Sequence, residues 1–275
     1  MKKTYTFLIL LILPFISFAD NFPVGANSSG MAYSTVAVPS LWSIYSNQAG
    51  LAQLEGYSFG VHYNNTFGLK EFGVKSSAFA MSSKAGAFGL TYTNYGFSQF
   101  NENKFGLAYA LKLSKYLSIG FQMDYFMIQQ AAYYGNINTV AGEIGLLAKP
   151  NEKMYIGAHV FNPVPAQISE YENERMPTIF RLGMGYQFTE KLLFAIETEK
   201  DLEQKPSFKT GIDYNLISQL YLRSGIEITG KDYAYAFGTG YKFKGVSLDL
   251  SVNKHPVLDY NTAVSLHVNL DKKKE

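Results

Sequence analysis

The four histidines are the side chains of this sequence best suited to catalysis or metal binding: His62, His159, His255 and His267. An imidazole can act as a general base or a metal ligand, but it requires partners at a suitable spacing. No HxxxH or HExxH pair and no GxSxG motif occurs, and the chain has no cysteine. A Ser-His-Asp triad built from distant residues stays open, although histidines satisfied by neighbouring polar groups are the simpler interpretation. We therefore predict no enzymatic activity, no cofactor and no metal site.

Charged residues form a second chemical pattern, because within the alternating segments they occupy one of the two sets of alternate positions. Side chains spaced in this way share one face of a β-strand. These residues fall on the smaller, more polar face of their segments: Lys75, Lys112, Asp124, Glu143, Arg181, Glu197, Lys209, Asp213, Arg223, Glu227, Lys242 and Asp249. Acids and bases on adjacent strands can form an ion-selective pathway or a ladder of ion pairs that braces a filled barrel. The sequence leaves both roles open.

The elements that carry these residues are strands with strict period-two alternation. The clearest is the final hairpin, residues 246–270, in which Leu248 and Leu250 alternate with Ser247, Asp249 and Ser251. From Gly56 onward, about 14 such segments follow one another, each near the 9 to 11 residues that a tilted membrane strand requires. We therefore predict an all-β fold, a transmembrane antiparallel β-barrel of about 14 strands over residues 56–270.

The connections between segments separate this barrel from a secreted β-sandwich, the alternative with the same composition. Connections after even-numbered segments are short and polar, such as residues 82–84, 114–116 and 244–245. Those after odd-numbered segments are mostly longer, such as residues 96–104, 129–139 and 162–177, and residues 230–232 are the exception. Outer-membrane barrels have this asymmetry, with short periplasmic turns and long outer loops.

The charges decide which face meets lipid. A charge on the lipid side near the midplane costs about 2 to 4 kcal/mol, so the polar face is predicted to line the lumen. Some inward positions are nevertheless apolar, and they predict a greasy pocket near the outer rim that could hold a small hydrophobic ligand. These positions are Phe79, Phe126, Ile128 and Phe161.

The N-terminus of the chain has the features of a segment that is removed after export. Residues 1–19 combine two lysines, an apolar run and the sequence Ser17-Phe18-Ala19, which is typical of a cleaved secretory signal peptide. Without them, 22 basic and 22 acidic residues remain, so nothing in the charge balance favours a nucleic-acid partner.

Residues 20–55 are rich in small residues with one short helix near residues 40–45, and we predict a plug in or under the lumen. Residues 271–275 are expected to form a charged periplasmic tail.

The connection 162–177 carries Glu170, Glu172 and Glu174 between prolines. A loop of this kind can bind a cation or a partner, or fold back as a constriction. Three solvated glutamates are the simpler interpretation.

Two motifs near the N-terminus carry a resemblance to a known family. Gly25-Ala26-Asn27-Ser28-Ser29-Gly30-Met31-Ala32 and Asn47-Gln48-Ala49-Gly50-Leu51-Ala52 precede the first strand. They resemble the "GARxxGMGGA" and "NPAGLA" stretches of PorV/PorQ-like proteins, which belong to the FadL-type superfamily of outer-membrane barrels. Gln48 replaces the usual proline, and Tyr33 stands where glycine is common. The plug-motif residues are Gly25, Gly30, Met31, Asn47, Gln48, Ala49 and Gly50.

The resemblance implies a 14-stranded barrel in the outer membrane of a Gram-negative cell, in contact with outer-membrane lipid. PorV/PorQ-like members are accessory subunits of surface-protein export by the type IX system, and they bind other proteins through their outer loops. FadL-like members take up small hydrophobic molecules past an N-terminal hatch. From the motifs we expect a non-enzymatic subunit of an export or assembly complex, with a FadL-like channel as the alternative.

Overall fold

A computed structural model describes residues 21–130, 136–167, 175–254 and 260–270. The signal peptide and the charged tail predicted from the sequence lie outside these residues, as do His255 and the three loop glutamates. Within the described part, the chain forms a closed antiparallel barrel in which each strand pairs with the next and the first pairs with the last. The strands are β1 Tyr57–Asn65, β2 Gly73–Ser83, β3 Gly86–Phe97, β4 Phe100–Lys112, β5 Leu117–Gln130, β6 Asn136–Asn151, β7 Met154–Phe161, β8 Ile179–Thr189, β9 Leu192–Asp201, β10 Ser207–Ile217, β11 Leu220–Thr229, β12 Asp232–Phe243, β13 Val246–Lys254 and β14 Tyr260–Leu270. The predicted fold class is confirmed.

Helical structure is confined to short pieces. One α-helical turn, α1, spans Ala26–Ser29, and 3₁₀ helices span Leu41–Tyr45, Gln48–Gln53, Thr66–Gly68 and Lys70–Phe72. In the described ranges, no helix is both long enough and apolar enough to cross a membrane.

The alternation of the strands is inverted relative to a water-soluble protein. In β13 the side chains of Leu248 and Leu250 are exposed, whereas Ser247 and Asp249 are buried inside the barrel. Exposed leucines, valines and phenylalanines cover the outer face of the other strands in the same way. Exposed tyrosines and phenylalanines end this apolar band on both sides, for example Tyr57, Phe88, Tyr241 and Phe243 on one side and Tyr63, Tyr92, Tyr125 and Tyr233 on the other. An apolar band between aromatic girdles is suited to a lipid bilayer.

Several strands are longer than the sequence predicted, and the loops predicted beside them are therefore wrong or too long. Residues 96–104 were expected to form a loop, but β3 and β4 continue through them to a two-residue turn at Ser98 and Gln99. Asn94 donates a hydrogen bond across this pair to Asn103 at 3.1 Å, on the outer face. Where strands project beyond the bilayer, both faces meet water, so polar residues fill them and the apolar alternation disappears.

The two ends of the barrel remain distinct. Turns at residues 84–85, 152–153 and 244–245 lie at what we call the short-turn end, together with the start of β1 and the end of β14. The connection 66–72 and the described ends of the connection between β7 and β8, residues 162–167 and 175–178, lie at the opposite end, which we call the loop end.

The interior is filled by the segment before β1, residues 21–56, which we call the plug. Most of its residues are buried, including Trp42, Ile44, Tyr45 and Leu51. Trp42, Ile44 and Leu51 pack against small wall residues such as Ala78, Ala80 and Ala108 in one apolar cluster. The wall also carries glycines where the plug backbone presses on it. A Cβ built on Gly238 would lie 3.0 Å from the Cα of Gly30, so neither position has room for a side chain.

Candidate functional site

The plug is held to the wall by hydrogen bonds from both its backbone and its side chains. Asn47 Nδ2 donates to the carbonyl oxygen of Leu146 at 2.9 Å, and Gln48 Nε2 donates to Glu143 Oε2 at 2.5 Å. On the opposite side, the backbone N–H of Val36 donates to Glu197 Oε2 at 2.8 Å. Two of these bonds have a carboxylate acceptor and are therefore stronger than bonds between neutral groups, and together they hold the plug in this position.

The plug-motif residues shape this position. Gly25 has φ 103°, a conformation that glycine tolerates, directly before α1. The Asn47 side chain caps the second 3₁₀ helix by accepting a bond from the N–H of Ala49 at 3.2 Å. The buried Met31 and the small residues Gly30 and Gly50 fit beneath neighbouring chain segments. The motif therefore specifies how the plug folds and packs.

Tyr45 crosses from the plug to the wall near β2 and β3. Its hydroxyl donates to the carbonyl oxygen of Ser77 at 2.8 Å. Burial raises the pKa of Tyr45 to about 12, so the hydroxyl stays a neutral donor throughout the physiological range.

Lys104, on the inner face of β4, is the centre of a buried charge cluster. Its Nζ lies 3.1 Å from Asp124 Oδ2, 3.4 Å from Glu143 Oε1 and 3.1 Å from Asn21 Oδ1. The ammonium also lies 5.6 Å and 5.7 Å from the ring centroids of Phe126 and Phe161. We call Lys104, Asp124 and Glu143 the lysine cluster.

His159 connects the lysine cluster to the next one. Its Nε2 lies 2.8 Å from Glu143 Oε2, and its Nδ1 lies 3.5 Å from Arg181 Nη1. A guanidinium can only donate, so Nδ1 accepts and Nε2 carries the proton that bonds Glu143. Both ring nitrogens are thus engaged, which agrees with the simpler interpretation of this histidine. His62 and His267 also lie on the inner wall, on β1 and β14.

Two further clusters continue around the wall. Arg181 Nε lies 2.6 Å from Glu199 Oε2, which is also 3.0 Å from Lys209 Nζ. Arg223 bridges three strands, with Nε 2.9 Å from Asp213 and Nη1 2.7 Å from Asp249. The charges form ion pairs, which corresponds to the second of the two roles left open by the sequence.

All but one of the predicted lumen-facing charges lie on the inner face, although not all are buried. Lys112 and Lys242 are exposed at the short-turn end, and Asp213 and Glu227 are half-buried. Lys75 is the exception: it is exposed and pairs with Tyr63 on the outer face, at the loop end of β2. The prediction for Lys75 was wrong, because pairing with β1 and not the pattern of β2 itself determines the face.

An apolar cluster lies inside the barrel towards the loop end. Phe126, Ile128 and Phe161 are buried there with Ala141, Met176 and Ile179, and we call these six residues the apolar cluster. The fourth predicted pocket residue, Phe79, pairs with Phe59 and points outward, so its assignment to the pocket was wrong. The reason is the same as for Lys75, which shares its face of β2.

Part of the connection between β7 and β8 completes the apolar cluster. Asn162, at φ 51°, turns the chain inward, and its Nδ2 donates to the carbonyl oxygen of Met176 at 2.9 Å. Thr178 Oγ1 donates to the carbonyl oxygen of Asn162 at 2.7 Å. The described ends of this loop therefore fold back over the lumen, with Met176 packed on the wall residues.

The inward residues of β5 show the order in which the plug, the lysine cluster and the apolar cluster follow one another along the barrel axis. Its inward residues from the short-turn end are Ser118 and Gly120, which contact the plug, then Asp124 in the lysine cluster, then Phe126 and Ile128 in the apolar cluster.

A small cavity of about 20 Å³ between plug and wall is lined by Tyr33, Tyr45, Arg181 and Glu197 among others. It has room for about one water molecule. A groove of about 300 Å³ lies on the outer surface, between residues of β6, β7, β8 and β9.

The sequence did not identify Lys104, Glu199, Ala141, Met176 or Ile179 as site residues. Lys104 fell in the stretch assigned to a loop, and Glu199 stood at a predicted strand end. The alternation of β4 continues through Glu102 and Lys104, so a longer strand assignment was the signal available.

The chain resembles solved hydrocarbon channels in fold. No protein-family profile and no curated protein matches it. It is similar to the CymD monoaromatic hydrocarbon channel, with a TM-score of 0.70, 12 % identity, and coverage of 90 % of this chain and 98 % of that one. It is similar to the Pseudomonas putida toluene transporter TodX, with a TM-score of 0.68, 13 % identity, and coverage of 90 % and 98 %. It is also similar to a Pseudomonas aeruginosa FadL homologue, with a TM-score of 0.63, 12 % identity, and coverage of 91 % of this chain and 99 % of that one. At these identities the likeness concerns architecture, so the chain has the barrel fold of FadL-type channels.

Proposed function

We propose that this protein is a channel in the outer membrane for small hydrophobic molecules, with the plug as its hatch. The observation that carries the proposal is the apolar cluster, an apolar region inside a lumen that is otherwise polar. It lies at the loop end, where a molecule from outside arrives first if the short turns face the periplasm, as in bacterial barrels. The fold shared with hydrocarbon channels supports the same function.

Passage through this lumen requires the plug to move, because its side chains fill the barrel. The plug is held by hydrogen bonds, such as those of Asn47 and Val36, and by the apolar packing of residues such as Trp42. Water can replace these bonds, so their net contribution is only about 0.5 to 3 kcal/mol each. A plug held in this way can shift without opening the wall, whose strands remain paired throughout.

The test is uptake of radiolabelled hexylbenzene by cells of a Gram-negative host that express the protein. We expect Phe161→Ala to reduce uptake several-fold, since it removes a large part of the apolar cluster. Phe79→Ala is the matched control: it is the same substitution on the outer face, and uptake should not change. Equal amounts of folded barrel are verified by heat-dependent gel migration. Equal uptake by all variants and by cells without the protein would exclude the channel.

A second candidate, a subunit of a surface-protein export or assembly complex of PorV/PorQ type, is supported by one feature. The motif residues are used to lock the plug, and a locked plug also suits a barrel that serves as a scaffold. The two-residue turns at Ser98 and Gln99 and at Gly230 and Lys231 offer little surface for such partners. Affinity purification from mild detergent, followed by mass spectrometry, distinguishes the two. Stoichiometric protein partners would favour the subunit, and a lone barrel carrying an apolar molecule would favour the channel.

A further inference from the structure

Each buried cation of the described inner wall is shared between two carboxylates. Lys104 has Asp124 and Glu143, and Arg181 has Glu197 and Glu199 within 4.0 Å. Lys209 has Glu199 and Glu227, and Arg223 has Asp213 and Asp249. Carboxylates therefore outnumber cations in every cluster.

We propose that the lumen selects uncharged apolar molecules and rejects amphiphiles with a carboxylate head, and that Asp124 and Glu143 set this selectivity by neutralising Lys104. The inference rests on the proposed channel function and names its substrate class.

Lys104 is the cation that an anionic head would reach from the apolar cluster. Its Nζ is 5.6 Å from the ring centroid of Phe126 and 5.7 Å from that of Phe161. An ammonium has three N–H donors. Two of them donate to Asn21 and Glu143, at 3.1 and 3.4 Å, and Asp124 Oδ2 forms an ion pair with the ammonium at 3.1 Å. A ligand carboxylate would have to compete with the three oxygen atoms around this ammonium, and it would meet two carboxylates beside it.

The cost of such a ligand is that of an unpaired buried anion. Asp124 and Glu143 are less than 2 % exposed, so water does not screen them from an incoming carboxylate. Burying a charge without a partner is strongly unfavourable, whereas an uncharged hydrocarbon requires none. The other clusters around the wall do not offer a free cation either, because Arg181, Lys209 and Arg223 have the same double pairing.

The test uses two ligands with the same phenyl and alkyl parts, hexylbenzene and 6-phenylhexanoate at neutral pH. Binding of each tritiated ligand is measured by equilibrium dialysis against phosphatidylcholine nanodiscs with and without the full-length protein. Asp124→Asn removes one charge from Lys104 while preserving the size of the side chain. We expect the variant to bind 6-phenylhexanoate about tenfold more tightly than the wild type, which corresponds to about 1.4 kcal/mol, because one of the two carboxylates that repel the ligand is neutralised. Hexylbenzene carries no charge and should bind both proteins equally.

Two controls separate charge from structure. Lys104→Met should not gain affinity for 6-phenylhexanoate, since it removes the cation. Asp249→Asn neutralises a carboxylate beside Arg223, away from the apolar cluster, and should also gain nothing. Glu143→Gln repeats the test if Asp124→Asn does not fold.

The outcomes are distinct for the two proposals. Equal affinity of the wild type for both ligands, or no gain in Asp124→Asn and Glu143→Gln, would overturn the selectivity while hexylbenzene binding still supports the channel. Absence of hexylbenzene binding in the wild type would overturn the channel function and, with it, this inference.

Discussion

Arg223 ties three strands together on the inner wall, since it lies on β11 and contacts Asp213 on β10 and Asp249 on β13. Its side chain is only 8 % exposed. A buried cation between two acids does not necessarily stabilise a fold relative to an apolar side chain, because desolvation offsets the attraction. Its removal is nevertheless costly, because two carboxylates then remain without a counter-charge.

We expect Arg223→Met to lower the free energy of unfolding by about 3 kcal/mol, at the low end for a buried pair because Asp213 is partly exposed. Lys149→Met is the control, since Lys149 pairs with the exposed Glu152 and its removal should cost less than about 1 kcal/mol. The measurement is the urea midpoint for loss of the compact form on a gel. A double variant, Arg223→Met with Asp249→Asn, should recover part of the loss. Equal midpoints for the two single variants would contradict the expectation.

Individual inward residues were predictable wherever a strand alternates strongly, as for Asp124 in β5 and Asp249 in β13. β2 lacks such a pattern, because Ser76, Ser77 and Ala78 give both of its faces small side chains. The orientation of Phe79 becomes clear only from its pairing with Phe59. The sequence of β2 alone does not determine how that strand pairs with its neighbours. Lys75 and Phe79 were misplaced for this reason.

At the scale of elements, the plug and the wall are fitted through glycines. A Cβ built on Gly225 in β11 would lie 2.6 Å from the backbone nitrogen of Ala32 and 2.7 Å from the carbonyl oxygen of Met31. Backbone atoms cannot yield as a flexible side chain does, so any larger residue there must displace the plug.

We expect Gly225→Val to loosen the plug while the barrel still forms. Gly142→Val is the matched control, because Gly142 faces outward from β6 and a Cβ there meets nothing within 4 Å. Hydrogen exchange of residues 21–56, followed by mass spectrometry, should become faster in Gly225→Val and stay unchanged in Gly142→Val. Identical exchange in both variants would show that the plug does not depend on this contact.

Element boundaries were less predictable than element types. The predicted loops at residues 96–104 and 129–139 proved to contain the ends of β3 to β6. Their polar composition led to the prediction of loops. Strands that extend past the membrane also carry polar residues on both faces, so composition alone does not distinguish the two. The position of the plug was predicted from small residues and weak periodicity, but its anchors, such as Gln48 to Glu143, join residues far apart in the chain.

At the scale of the whole molecule, the barrel is closed by pairing between its strands. β1 pairs with β14 over the full length of β1, from Tyr57 with Leu270 to Asn65 with Thr262. Every other strand also pairs on both sides. The inner wall without the plug would present serines, threonines and ion pairs, which water can solvate, beside small apolar residues such as Ala78 and Ala108. An empty lumen is therefore compatible with the same wall.

We expect deletion of residues 21–55, with residues 1–20 retained, to leave a folded barrel that conducts ions, whereas the full-length protein does not. The pore should prefer cations, because the carboxylates of the inner wall outnumber its buried cations. Single-channel recordings in planar bilayers measure both conductance and reversal potential in a salt gradient. Neutralising two wall acids in the deletion variant, with Asp213→Asn and Glu227→Gln, should shift the reversal potential towards zero. Conductance by the full-length protein equal to that of the deletion variant would mean that the plug does not close the lumen, and the hatch in the proposed function would have to be abandoned.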